Sequence, residues 1–355
     1  MINRSLRHCF IYTFRLAFVT IRAICIFNNW FNTMVTSFVI LIFGLAGLVW
    51  SADKFVYGAA ALAKNFGVPT LIVGLTVVAM GSSAPEMMVS ASAALAGKTD
   101  TAIGNAVGSN ITNILLVLGI TALLRPLSVS SSTLKREIPL VLIISLATWY
   151  IFSDNYFSYP EAIALLIGFV VFIFGLIIIS LRAKNNNDPF VNEACDEVPD
   201  NVPTKKAVFW LIVGLILLPV SSHFLVGSAV DIAKFFGLSD LVIGLTIIAI
   251  GTSLPELAAS VAGVLKNEDD LALGNIVGSN IFNILAVLPL AGIINPSIID
   301  PSIANRDVLI MIAATLALIV MSLNFRGAQR INRVEGGLLL SAFLIYQGYI
   351  FSQIG

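Results

Sequence analysis

The stretch GLTVVAMGSSAPE at residues 74–86 returns as GLTIIAIGTSLPE at 244–256, a shift of 170 residues. A second stretch, GNAVGSNITNILLVLG at 104–119, returns with the same shift as GNIVGSNIFNILAVLP at 274–289. Weaker matches extend the register: Ala63-Lys64 with Ala233-Lys234, Phe66-Gly67 with Phe236-Gly237, Pro126 with Pro296, and Arg136-Glu137 with Arg306-Asp307. The chain is therefore built from one unit used twice, and the repeated stretches are apolar runs that carry a few polar residues each.

The surrounding composition says where such runs reside. Of 355 residues, 58% are hydrophobic and 11% charged, whereas soluble domains carry roughly 25% charge. A hydrocarbon core needs about 20 apolar residues per helix, and backbone facing lipid must satisfy its own hydrogen bonds. Ten spans are expected, at 36–62, 69–96, 101–124, 137–153, 159–181, 207–230, 240–265, 271–294, 307–324 and 334–353. The hydrophilic interval 182–206 separates a first repeat at 35–181 from a second at 207–355. Five spans is an odd number, so the second copy must enter the bilayer with the opposite sense. The expected fold is all-α and integral to the membrane, with ten transmembrane helices in two inverted-topology five-helix repeats.

Lys and Arg in short loops set the orientation. One side collects Lys64, Arg125, Lys135, Arg136, Arg182, Lys184, Lys205, Lys206, Lys266, Arg326, Arg330 and Arg333, the other only Lys98, Lys234 and Arg306. The loop 182–206 is thus expected in the cytoplasm and the protein in the cell (inner) membrane. Residues 1–34 form an N-terminal extension in which Arg15 and Arg22 interrupt the apolar stretch 8–27. Each central Arg costs about 2.5–3.5 kcal/mol on insertion scales, so this segment reads as signal-like or interfacial, or as preceding a true start at Met34. Net charge is zero and no basic face exists, which gives a nucleic-acid partner no support. Cys9, Cys25 and Cys195 share no metal or disulfide spacing. No phosphate-cradling loop or nucleophile constellation is present, so neither an enzyme nor a cofactor is expected. The expected partners are cations and the lipid bilayer, and no obligate protein partner is evident.

Glu86 and Glu256 lie deep within apolar sequence, where an ionisable group is costly and marks a functional site by default. The bland reading, a protonated carboxyl that ties helices together, suits one lone Glu better than two at matched positions. Gly81 and Pro85 loosen the turn before the first acid, as Gly251 and Pro255 do before the second. Freed carbonyls, with the hydroxyls of Ser82, Ser83, Thr252 and Ser253, supply oxygen ligands. Calcium takes about six to eight of these. Ser109 and Asn113 share a helix face, as do Ser279 and Asn283. Asn105, Asn110, Asn275 and Asn280 fit either an ion site or helix packing. His223 and the span-end acids Asp53, Glu161, Asp231 and Glu335 read as packing or loop residues.

The paired GSSAPE/GTSLPE and GNxxGSNxxN motifs resemble the two alpha repeats of the cation/calcium exchanger superfamily, most closely its prokaryotic sodium/calcium exchangers, over residues 35–355. The resemblance implies a ten-helix inverted-repeat fold that extrudes Ca2+ in exchange for entering Na+. By motif position it places calcium between Glu86 and Glu256, helped by backbone oxygens of Ser82 and Thr252. Sodium would use the same carboxylates with Ala79, Ser83 and Ser109 on one side, and Ala249, Ser253 and Ser279 on the other. Asn113 and Asn283 complete the centre. Some relatives, including potassium-dependent ones, carry Asp where this chain has Asn283. The proton-coupled calcium branch carries Glu where this chain has Gly108 and Gly278. A calcium or other cation/proton antiporter is therefore the alternative.

Overall fold

A proline in the first helical turn costs no hydrogen bond, because that turn has no acceptor for its missing N–H. Both Pro-Glu motifs start helices in this way. In the computed structural model, which describes residues 2–68, 70–129, 136–185, 202–235, 249–323 and 330–352, helix α2 (Ala79–Ser82) stops at Ser83 and α3 (Ala84–Leu95) begins beyond it. The second copy repeats this with α8 (Ala249–Thr252), Ser253 and α9 (Leu254–Leu265). Ser83 and Ser253 share one non-helical conformation, with φ −84° and ψ 9° against φ −87° and ψ 7°. The span expected at 69–96 is thus interrupted rather than continuous. The start of its counterpart at 240–265 lies outside the described residues. Gly97 and Asn267, again 170 apart, close α3 and α9 in the left-handed region. The amides of Lys98 and Glu268 reach back to the carbonyls of Ala93 and Gly263, each at 2.9 Å, which satisfies helix-end acceptors.

The longer helices are α1 (Ile2–Phe66), α4 (Thr99–Leu124), α5 (Ile138–Ile151), α6 (Tyr159–Asn185), α7 (Thr204–Phe235), α10 (Asp269–Ile294), α11 (Ile303–Ser322) and α12 (Arg333–Ser352). Among the described residues, seven helices are long and apolar enough to cross a membrane, with α1 counted from Met34. The backbone of α1 runs on without a break on both sides of residue 34. Helices α4 and α10 form the centre: their most apolar windows are 78% and 89% buried, against 17–22% for α1, α6, α7 and α12. Small residues let α10 touch the helical stretch 70–78 that leads into α2. A Cβ placed on Gly278 would lie 2.8 Å from Leu75 Cα, and one on Gly74 would lie 2.7 Å from the Leu271 carbonyl.

Contacts at the helix ends show that α4 and α10 run antiparallel. At one end Thr99 Oγ1 donates to the Asn295 carbonyl at 2.9 Å, and β2 (Tyr156–Phe157) pairs with β3 (Ser297–Ile298). At the other the Ser128 amide donates to Asp269 at 3.1 Å, Arg125 donates to the Val264 carbonyl at 2.7 Å, and β1 (Leu127–Ser128) pairs with β4 (Arg330–Ile331). Positions related by the 170-residue shift, such as Thr99 and Asp269, therefore stand at opposite ends of the central pair.

Candidate ion site

The break at Ser83 and Ser253 puts Glu86 and Glu256 in the first turns of α3 and α9, where free backbone N–H groups and the helix dipole favour negative charge. Both carboxyls are fully buried. Ser109 Oγ donates to Glu86 Oε1 at 3.4 Å, and Ser83 Oγ donates to Glu256 Oε1 at 2.9 Å. Thr252 also stands beside Glu86, while Ser82 and Ser279 stand beside Glu256. Each carboxylate is thereby faced by hydroxyls from both halves of the chain. The Ser82 hydroxyl further lies 3.3 Å from the Ala79 carbonyl, 3.1 Å from Asn275 Oδ1 and 3.4 Å from Ser279 Oγ.

Amides hold the backbone of the two acids in place. Asn105 Nδ2 donates to the Glu86 carbonyl at 3.1 Å and to Ser90 Oγ at 2.9 Å. Asn275 Nδ2 does the same with the Glu256 carbonyl at 3.2 Å and Ser260 Oγ at 2.9 Å. Asn105 and Asn275 thus act as clamps on the acids' main chain, and Ser90 and Ser260, which sequence reading passed over, complete the clamps. Their signal was available, since they too are 170 apart.

A second pair of features had no sequence signal. Single π-turns begin at Asn113 (Asn113–Val117) and at Asn283 (Asn283–Val287), a distortion often found at functional sites. The first packs against α9 and the second against α3. Asn113 Nδ2 donates to Asn280 Oδ1 at 3.2 Å, and Asn110 Nδ2 donates to the Asn280 carbonyl at 3.3 Å, so Asn110 and Asn280 join the two halves. Glu86 Oε2, Glu256 Oε2, Ser253 Oγ, Asn113 Oδ1 and both amide atoms of Asn283 are buried without a protein partner. An unsatisfied buried polar atom costs about 1–3 kcal/mol, and a group of orphaned oxygens is the lining that a hard cation requires. Among the described residues no group of three or more His, Cys, Asp or Glu gathers, at this site or any other.

Of the residues expected at the site, Ser82, Ser83, Glu86, Ser109, Thr252, Glu256 and Ser279 come together around the two carboxyls. Asn113, Ser253 and Asn283 are buried with unpartnered oxygens. Ala79 is buried, and its carbonyl already accepts from the Ser83 amide at 3.0 Å. Ala249 opens α8. The halves are not identical: Ser83 is bonded to Glu256 while Ser253 has no such partner. Ser222 Oγ donates at 2.9 Å to the Gly251 carbonyl, the acceptor that Pro255 cannot serve, and the matching position in the first repeat is Ala52.

Comparison with known proteins is consistent over nearly the whole chain. The family described as sodium/calcium exchanger protein matches residues 36–178 and 206–352. CaxA of Alkalimonas amylolytica is 55% identical over 320 residues, covering 90% of this chain and 100% of CaxA. The inner membrane protein YrbG of Escherichia coli is 40% identical over 319 residues, covering 90% of this chain and 98% of YrbG. Among solved structures, the sodium-calcium exchanger NCX_Mj superposes with a TM-score of 0.75 at 30% identity, over 88% of this chain and 98% of that one.

Proposed function

This chain belongs to the sodium/calcium exchanger family and is a membrane cation/calcium antiporter, and we propose that it exports calcium against entering sodium by alternating access. The observation that carries this reading is the pair of fully buried carboxyls, Glu86 and Glu256, each faced by hydroxyls of both repeats and each with an unpartnered oxygen. In this reading calcium lies between the two carboxylates with backbone oxygens of Ser82 and Thr252. Sodium ions share those carboxylates and draw on Ala79, Ser83, Ser109, Ala249, Ser253 and Ser279, with Asn113 and Asn283 at the centre. The two carboxylates repel in a dry site and supply two negative charges, which one calcium ion balances.

The antiparallel run of α4 and α10 supports an inverted repeat. The seven long helices, the shorter α5 and the two interrupted pieces around Ser83 and Ser253 support a count of ten spans. The Lys and Arg bias supports a cytoplasmic central loop, of which residues 186–201 lie outside the described residues, and similarity to the inner membrane protein YrbG supports the inner membrane. Sodium coupling is favoured over proton coupling by Gly278. A side chain there meets Leu75 and Ala79 within 3 Å, which leaves no room for the carboxyl that proton-coupled relatives carry, whereas the matching Gly108 faces open space and differs from them in sequence alone. The test is calcium uptake into inverted vesicles. An opposing sodium gradient should drive uptake, and uptake that answers only to a proton gradient would overturn the assignment.

A further inference from the structure

We propose that Asp53 and Lys266 are positioning residues of the exchange cycle, an ion-pair clamp that ties α1 and α7 to the end of the Glu256 helix and biases which face of the membrane the site opens to. The proposal rests on the antiporter reading above. Lys266 is the first residue beyond α9, and its Nζ lies 2.7 Å from Asp53 Oδ1 and donates to the Asp53 carbonyl at 2.9 Å. It also stands 5.7 Å from the centre of the Tyr57 ring. Asp53 Oδ2 meets Lys54 Nζ at 2.9 Å, and Lys54 in turn stands 5.5 Å from the centre of the Trp210 ring on α7. One carboxylate thus gathers two ammonium groups and joins α1 to the end of the helix that carries Glu256, and Lys54 extends the contact to α7 through the Trp210 ring.

The clamp breaks the symmetry of the repeat. The 170-residue shift carries Asp53 to His223, Lys54 to Phe224 and Lys266 back to Ala96. The matching place in the other half holds no acid and no lysine, and His223 makes a ring contact with Phe224 at 5.9 Å. In a duplicated transporter the two halves trade equivalent contacts when the site turns from one face to the other. A contact present in one copy alone makes the two states unequal. With Lys266 on the cytoplasmic side by the charge bias, the clamp holds that side shut.

A partly exposed ion pair is modest in strength, so removing it should shift the balance roughly two- to fivefold. In oriented vesicles, Asp53→Asn and Lys266→Gln should each lower the half-saturating calcium concentration on the cytoplasmic face and raise it on the opposite face. The double variant should add little to either single one. Equal changes on both faces, or additive effects, would overturn the clamp. A purely structural pair would lower yield or melting temperature and leave the ratio between faces unmoved. For variants that fold poorly, Asp53→Cys with Lys266→Cys, in a chain whose Cys9, Cys25 and Cys195 are replaced by Ser, can be bridged with a short bifunctional methanethiosulfonate. Bridging should stop exchange and a reductant should restore it, while full exchange with the bridge in place refutes the proposal. Wild-type vesicles without sodium-driven calcium flux would overturn the antiporter reading itself, an outcome separate from any effect of the variants.

Discussion

At the scale of single residues, the reading stands on charge. Truncating one partner of a buried charge pair formed on binding costs roughly 2–5 kcal/mol of binding energy, so Glu86→Gln and Glu256→Gln should each cut calcium exchange at least about a hundredfold while the protein, relieved of one of two repelling charges, still elutes as one folded species. Near-normal flux in either variant would show that the acids do not hold the ion. Ser83→Ala and Ser253→Ala should raise the sodium concentration for half-maximal exchange more than that for calcium, and parallel losses for both ions would contradict the division of ligands. The two serines should differ in the absence of ions. Only Ser83 supports a carboxylate, at 2.9 Å, so its removal alone should lower the melting temperature in sodium-free detergent. The acids, hydroxyls and central amides were legible in the sequence because the repeat prints them twice. The clamps from Asn105 to Ser90 and from Asn275 to Ser260 were legible only in part: the 170-residue shift marks all four residues as matched pairs, but which serine meets which amide depends on how two helices lie together.

At the scale of helices, apolar run length was enough to position the seven long helices among the described residues, and the Gly and Pro flanking each acid hinted at a loosened turn. The one-residue interruption at Ser83 and Ser253 needed the structure. So did the π-turns at Asn113 and Asn283, because a wide helical turn leaves the periodicity of apolar residues almost unchanged. Close helix contact gives a further test. Ala at 278 would place a methyl 2.8 Å from Leu75 Cα and 2.9 Å from Ala79 Cβ, and overpacking of this kind costs about 1–3 kcal/mol. Gly278→Ala should therefore lower the melting temperature in detergent and reduce flux, whereas an unchanged melting curve would mean that the two helices are free to separate. The N-terminal extension makes its own prediction: a chain that begins at Met34 should insert and transport normally, and lost insertion would show that the Arg-bearing segment contributes.

For the whole molecule, the neutral amides at Asn113 and Asn283 leave Glu86 and Glu256 to set the pocket's charge, so exchange should need no potassium. Any sodium-to-calcium ratio above electroneutral carries positive charge inward, so a cytoplasm-negative voltage should speed calcium export. A strict potassium requirement, or flux indifferent to clamped voltage, would refute the charge argument. Labels at Asn155 and at Asn186, the latter outside the described residues, should report the external and cytoplasmic faces respectively. The two small ribbons, β1 with β4 and β2 with β3, each take one strand from either half, and Ser83 of the first half bonds the acid of the second. Neither half contains a finished site. If the repeat is inverted as proposed, a single-unit ancestor would have had to operate as two copies threaded through the bilayer in opposing directions, and the joining loop of the present chain makes that pairing permanent. Cutting the gene between the halves and producing both pieces together should consequently rebuild an active exchanger, while either piece alone stays silent.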